Sequence, residues 1–258
     1  DQLREILAVA HARGVMVHVW KVCWEFGWMA DPTIARPFRF AGRCQVDRDG
    51  RTGDWLCPSR ADNRAYELEA IKELVRNYAI DGFHLDYIRY PGDEWCFCPS
   101  CRKAFEKKIG KPLMGWPAPV LEGGRQERAY RDWRREVITS FVREVRRAIS
   151  KIRPGIQLSA AVFPVPESAR DSVLQDWGRW IQEGLVDFVC PMNYTEDLQE
   201  MRSRAAAGLA AAAGKMPVYQ GLYTTFGPDQ SQSPDILAAQ IVAARELGAG
   251  GFVLFELQ

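Results

Sequence analysis

Nearly continuous apolar runs alternate along this chain with amphipathic stretches of helical period. Residues 2–13 carry apolar positions at helical spacing and stop at Gly14, with Asp1 placed as a cap. Val15 to Trp24 follows with only His18 and Lys21 as polar breaks, the pattern of a parallel strand buried on both faces. The succession then repeats. A helix over about 62–79 leads to a strand from Gly82 to Tyr90, and a charged helix over about 126–151 leads to a strand over 156–163. Helices over about 169–183, 197–213 and 234–247 lead to strands over 186–194, 217–223 and 251–256. Two stretches, about 25–61 and 92–125, interrupt the alternation; both are long and rich in Gly or Pro, and read as functional loop insertions.

Strand followed by helix, repeated, implies a parallel sheet with right-handed crossovers. Six strands suit an open doubly wound sheet, or a closed barrel with two more. No GxGxxG or GxxxxGK[ST] loop follows any strand, which removes the main argument for the open nucleotide-binding sheet. The expectation is therefore an α/β fold, a (β/α)8 TIM-type barrel forming one domain over 1–258. The chain opens inside a helix, so the first one or two βα units of such a barrel are expected to be absent from this sequence. A length of 258 residues with 47% hydrophobic content fits one large core. A net charge of +1 offers no basic excess for nucleic acid. No apolar run approaches the roughly 20 residues of a transmembrane segment.

In such a barrel, chemistry sits at the C-terminal strand ends. Asp86 lies late in its strand, on the face of His84 and opposite Phe83 and Leu85. A carboxylate there is costly to bury unless it has partners or lines a cavity. It reads as an essential catalytic group, or as a structural Asp paired with Arg89 or a backbone N–H. Other strand ends offer His18, Trp20, Glu25, His84, Arg89, Asn193, Tyr194, Gln220 and Tyr223 as substrate contacts. Aromatic faces with carboxylates and amides suit a carbohydrate. The two histidines, Trp20 and Trp24 read equally well as core. Glycoside hydrolysis needs a second carboxyl and no cofactor. Glu256 leads for that role, with Glu25, Glu196 and Asp197 as alternatives; Asp197 also reads as a helix cap. Asp81 and Asp187 precede their strands and read as turn or capping residues.

Of seven cysteines, Cys23 and Cys190 lie in apolar runs as small buried hydrophobes. Cys96-Phe97-Cys98-Pro99-Ser100-Cys101 offers three thiolates to a structural Zn²⁺. Cys57 supplies the fourth in the favoured set, with Cys44 as the alternative. In a secreted protein the same triad reads as a disulfide plus a spare thiol.

The run Asp81-Gly82-Phe83-His84-Leu85-Asp86-Tyr87-Ile88-Arg89-Tyr90-Pro91 resembles the signature of the glycosyl-hydrolase-like barrel family sometimes called family 10, found in mostly uncharacterised bacterial lipoproteins. Val17-His18-Val19-Trp20 resembles that family's preceding strand. Val186-Asp187-Phe188-Val189-Cys190-Pro191-Met192-Asn193-Tyr194 resembles a later one, with Met-Asn where Pro-Gln is more usual. The resemblance covers nearly the whole chain. It implies a (β/α)8 barrel in which the Asp86 strand is the fourth, activity on cell-wall or surface polysaccharide, and an extracytoplasmic or envelope location. Chitinase-type barrels share Asp-Gly-Phe-x-Leu-Asp but place a catalytic Glu two residues later, where this chain has Ile88. Chitinase-type chemistry is thereby excluded at this strand. The readings left are a glycoside hydrolase acting on a poly- or oligosaccharide and, as the alternative, a non-catalytic carbohydrate-binding barrel or envelope scaffold.

Overall fold

A computed structural model describes residues 1–26, 32–225 and 231–255. Six parallel strands form the frame: β1 (His18–Val22), β4 (Gly82–Asp86), β5 (Gln157–Val162), β6 (Phe188–Pro191), β7 (Tyr219–Tyr223) and β8 (Gly251–Phe255). β1, β4, β5 and β6 pair in that order; bridges Val189 to Val218 and Met192 to Gly221 carry the sheet on to β7, which pairs with β8. The sheet curls, so rings meet across its interior: His18 on β1 lies 5.6 Å from Phe188 on β6, and Trp20 on β1 lies 6.2 Å from Phe255 on β8. This is a TIM-barrel frame, with six of the eight strands among the described residues. Within those residues β1 pairs only with β4, and β8 only with β7.

Interior and exterior positions alternate along each strand. Phe83 and Leu85 point outward onto helices and are fully buried. α3 (Ala61–Asn77) buries Glu67, Ile71 and Val75, and packs beside the 26-residue α5 (Glu127–Ile152). α5 presents Tyr130, Trp133, Val137, Phe141, Val145 and Ile149, one stripe at helical spacing. The other helices are α1 (Gln2–His11), α6 (Pro166–Ser172), α7 (Trp177–Gln182), α8 (Leu198–Ala212) and α9 (Pro234–Glu246). The helix expected over 169–183 is two, because Leu174 adopts φ +58°, which no helix carries through.

Both insertions are structured. The first holds α2 (Pro32–Phe40) and an antiparallel hairpin of β2 (Cys44–Val46) and β3 (Thr52–Leu56). The second holds α4 (Pro99–Ile109) and a 3-10 turn at Ala118–Val120.

The lower rim explains two acids. Asp81 Oδ2 accepts from Val17 N at 2.7 Å, and Asp187 Oδ2 accepts from Leu158 N at 2.6 Å. Each carboxylate ties its strand to its neighbour, a link between strands where the sequence suggested a local turn or cap. His18 belongs here too. β1 starts at His18 rather than Val15, which puts the imidazole at the N-terminal rim, far from the strand ends where substrate contacts were expected. Its ring covers Gly82, where an added Cβ would lie 2.2 Å from Cε1. Gly82→Ala is expected to lower the melting temperature, with overpacking costing about 1–3 kcal/mol. The same change in a His18→Ala background should cost much less, so a double-mutant cycle by thermal melts checks the contact.

Candidate active site

Asp86 ends β4, and the chain turns sharply there because Tyr87 sits in the left-handed region at φ +53°. That turn aims the Tyr87 N–H back at Asp86 Oδ1, 2.7 Å away, while the Trp20 indole Nε1–H donates to Oδ2 at 3.0 Å. Both carboxylate oxygens are therefore fixed by rigid donors. Among the described residues no ion pair joins Asp86 to Arg89, so the Arg89-paired structural reading gives way to these two N–H contacts. Asp86 is 7% exposed. Burial pushes its carboxyl above the ordinary value, opposed by the Tyr87 N–H, the Trp20 N–H and the Arg89 charge. Around it stand Tyr194, stacked on Phe255 at 5.7 Å, and Trp20, which is half exposed. The Cys190 thiol, pushed up to about 12 by burial and next by the Asp86 charge, stays a neutral thiol.

Trp20→Phe keeps an aromatic face and removes the indole donor. That donor favours the ionised carboxylate, so its loss raises the Asp86 pKa further. The Asp86 carboxyl should titrate at higher pH in the variant, followed by NMR of the labelled carboxyl carbon; an unmoved titration would show that the indole does not act on it.

Arg89 lies beside this carboxylate, sandwiched by Trp55, Tyr87 and Phe163 at 5.1, 5.0 and 4.9 Å from guanidinium carbon to ring centre. Its Nη1 donates to Tyr90 O, and its buried Nε has no hydrogen-bond partner among the described residues. Burial lowers its pKa; the negative charges it feels include Asp86 and Glu25. Glu25 is placed there by two local links. Cys23 N donates to Asp86 O at 2.8 Å, and Glu25 bridges Trp55 on β3. One guanidinium thus feels the charge of two carboxylates, Asp86 at the end of β4 and Glu25 just after β1.

The other expected site residues fall in different places. His84 lies deeper on β4, 2.8 Å from Ser159 Oγ, and burial lowers it to about 4, so it is neutral. Asn193 and Gln220 are fully buried and 3.4 Å apart, with Asn193 Nδ2 also donating to Met201 O. Neither is exposed, and Asn193 Oδ1 and Gln220 Nε2 have no hydrogen-bond partner among the described residues. Trp24 is 1% exposed and packs on Phe141, so it belongs to the core. Asp197 caps α8 through the N–H groups of Gln199 and Glu200. Tyr223 donates to Glu196 at 2.9 Å. Glu256 lies outside the described residues. Sequence reasoning missed Trp55, Phe163 and Phe255. Phe255 ends its strand on the interior face, a signal that was available; Trp55 sits in a stretch read as a loop.

The sulfurs of Cys57, Cys96, Cys98 and Cys101 all lie within 4.8 Å of one another, and all four residues are buried. Cys44 stands outside this group. Tetrahedral zinc with bonds of about 2.3 Å places its sulfurs about 3.8 Å apart, so the cluster needs little adjustment. Val46 N donates to Cys96 Sγ at 3.3 Å and Cys101 N to Cys98 Sγ at 3.4 Å, contacts that favour thiolates. Arg134 provides a second test of fit. It is 2% exposed and has no carboxylate partner among the described residues; only backbone oxygens of Asp93 and Trp95 and the faces of Tyr90, Phe97 and Tyr130 surround it. A buried unpaired cation is expensive. The Cys101 charge reaches Arg134, and those of Cys57 and Cys98 reach Arg60. Four thiolates around a divalent ion carry a net charge of −2, which these arginines offset.

The model of the glycosyl hydrolase-like 10 family matches residues 1–234. The chain belongs to the glycosyl hydrolase-like 10 family. An S-layer-related protein of Niallia circulans is 25% identical over 308 residues, covering 99% of this chain and 19% of that protein. Glycosyl hydrolase DigH of Escherichia coli K12 is 23% identical, over 75% of this chain and 46% of its own. The chain thus spans less than half the length of these family relatives. Among solved structures, the PgaB (BpsB) glycoside hydrolase domain of Bordetella bronchiseptica superposes with a TM-score of 0.75 at 17% identity, covering 94% of this chain and 71% of that one. At that identity the likeness bears on the fold alone, a TIM barrel.

Proposed function

We propose that this chain is a glycoside hydrolase acting on a poly- or oligosaccharide, with Asp86 as its essential carboxyl and Glu25 as the second. The observation that carries this reading is the fixed Asp86 carboxyl at the C-terminal end of β4, inside an aromatic wall and beside a guanidinium that also feels Glu25. The raised pKa suits a group that exchanges a proton during glycosidic cleavage. Trp20, Tyr194 and Phe255 offer faces for sugar rings, and Arg89 a donor for hydroxyl or carbonyl oxygens. The four cysteines hold a structural zinc that takes no part in bond cleavage, because four thiolates leave no open position. The S-layer relationship supports a carbohydrate of the cell envelope as the target. Release of reducing ends from a panel of oligosaccharides, compared between wild type and Asp86→Asn, tests the reading.

The near-complete burial of Asp86 favours a second reading, a carbohydrate-binding barrel without catalysis. In that case oligosaccharide binding survives Asp86→Asn and long incubation yields no product.

A further inference from the structure

The cysteine centre joins the two insertions, and one of them covers Arg89 beside Asp86. Cys57 directly follows β3, whereas Cys96, Cys98 and Cys101 lie in the segment after β4. Further links run alongside the sulfurs. Phe97 N donates to Val46 O at 2.7 Å, Cys57 N donates to Arg43 O at 2.9 Å, and the Trp95 ring presses on Gly53, where a Cβ would lie 2.7 Å from it. A two-stranded hairpin of this size is marginal alone in water, so such contacts decide where β2 and β3 rest.

The same hairpin also reaches the Asp86 end of the barrel. Leu56 N donates to Trp24 O at 2.7 Å, and Glu25 bridges Trp55. The Trp55 ring packs 5.4 Å from Tyr87, the residue that aims Asp86, and covers Arg89. A single residue, Leu56, therefore separates a metal ligand, Cys57, from the roof of the guanidinium.

We propose that a divalent metal on the four cysteines controls the carbohydrate site by locking the β2–β3 hairpin in place. The inference rests on the function proposed above. With the metal bound, Trp55 roofs Arg89 and the backbone of Glu25 stays bridged to Trp55. With the metal removed, like-charged or loosely packed thiols release the end of β3, and the roof and Glu25 leave together. The barrel persists, since β4, β5 and α5 are packed through Phe83, Leu85, Leu158, Phe141 and Val145, all fully buried.

The test uses the whole chain, loaded with Zn²⁺ or stripped by chelation, in hydrogen exchange read by mass spectrometry. Amides over 44–57 should exchange about 100-fold faster after stripping, while those over 82–86, 137–149 and 157–162 keep their protection. Affinity for a bound oligosaccharide should fall about 10-fold and return with Zn²⁺. Metal-loaded Trp55→Ala should lose affinity to a similar extent with the exchange of 44–57 unchanged. Unchanged hairpin protection after stripping would overturn the proposal. So would loss of protection across the whole barrel, which makes the metal a general staple, or a freed hairpin with undiminished affinity. If no oligosaccharide binds in either state, the functional reading falls, while the exchange data still decide whether the metal holds the hairpin.

Discussion

Asp86→Asn is expected to lower turnover by about three orders of magnitude or more and to leave the barrel folded, because the amide can neither accept nor release the proton that glycosidic cleavage requires. Asn has the same shape but offers one acceptor oxygen. The Tyr87 N–H and the Trp20 N–H each hold a carboxylate oxygen, so one donor loses its partner, at a cost of about 1–3 kcal/mol. At about 2–4 °C per kcal/mol for a chain of this size, the melting temperature should fall by several degrees. That gap depends on pH in a defined direction. The native carboxyl of Asp86 has a raised pKa, so the folded wild type binds more protons than the unfolded chain and loses stability as pH rises from about 4 through the native value. The variant has nothing to ionise there. Its deficit relative to wild type should shrink as pH rises, in melts recorded from acid to neutral. A full rate in the variant would remove Asp86 from the mechanism.

Cys98→Ser is the second large effect. Wild type should bind about one zinc ion per chain, and the variant far less, measured by elemental analysis of purified protein. Free energy of metal binding is in part free energy of folding, so the melting temperature should drop by about 10 °C or more. Arg134 sharpens the test, because its contribution changes sign. With four thiolates and a metal, Arg134→Met leaves a buried dianion poorly balanced and destabilises the protein. With the metal stripped and the cysteines protonated, the same substitution removes an unpaired buried cation and is neutral or stabilising. A destabilisation of equal size in both states would rule out charge balance as the role of Arg134.

The barrel strands were readable from their apolar runs, as β5 shows, but Val15–Trp24 was read as covered on both faces, whereas Val15 and Met16 are exposed and β1 is only partly covered. The insertions were not readable, because short elements such as β2 and β3 owe their existence to contacts with remote segments rather than to periodicity. The end of β4 at Asp86 was equally hidden, since nothing local announces a tyrosine at positive φ. His18 shows the same limit in another form. Its alternation on β1 was clear, but its height along the barrel depends on where the strand begins relative to its neighbours. Choosing Cys57 over Cys44 turned on spatial proximity as well; both cysteines are buried in the same insertion, and only one approaches the triad. The acids divided along similar lines. Asp197 bonds to the N–H groups two and three residues on, as local rules expect, whereas Asp81 and Asp187 bond across to neighbouring strand segments and the environment of Asp86 is assembled from three different strands.

Tyr87 carries one further consequence. A left-handed residue other than glycine costs about 1–2 kcal/mol, a penalty borne in every folded molecule whether or not a sugar is near. Glycine would remove it, but would also free the backbone and delete the ring packed on Trp55 and Arg89. The chain therefore sacrifices robustness at one peptide unit for preorganisation: the reorganisation that would otherwise accompany substrate arrival is completed when the protein folds.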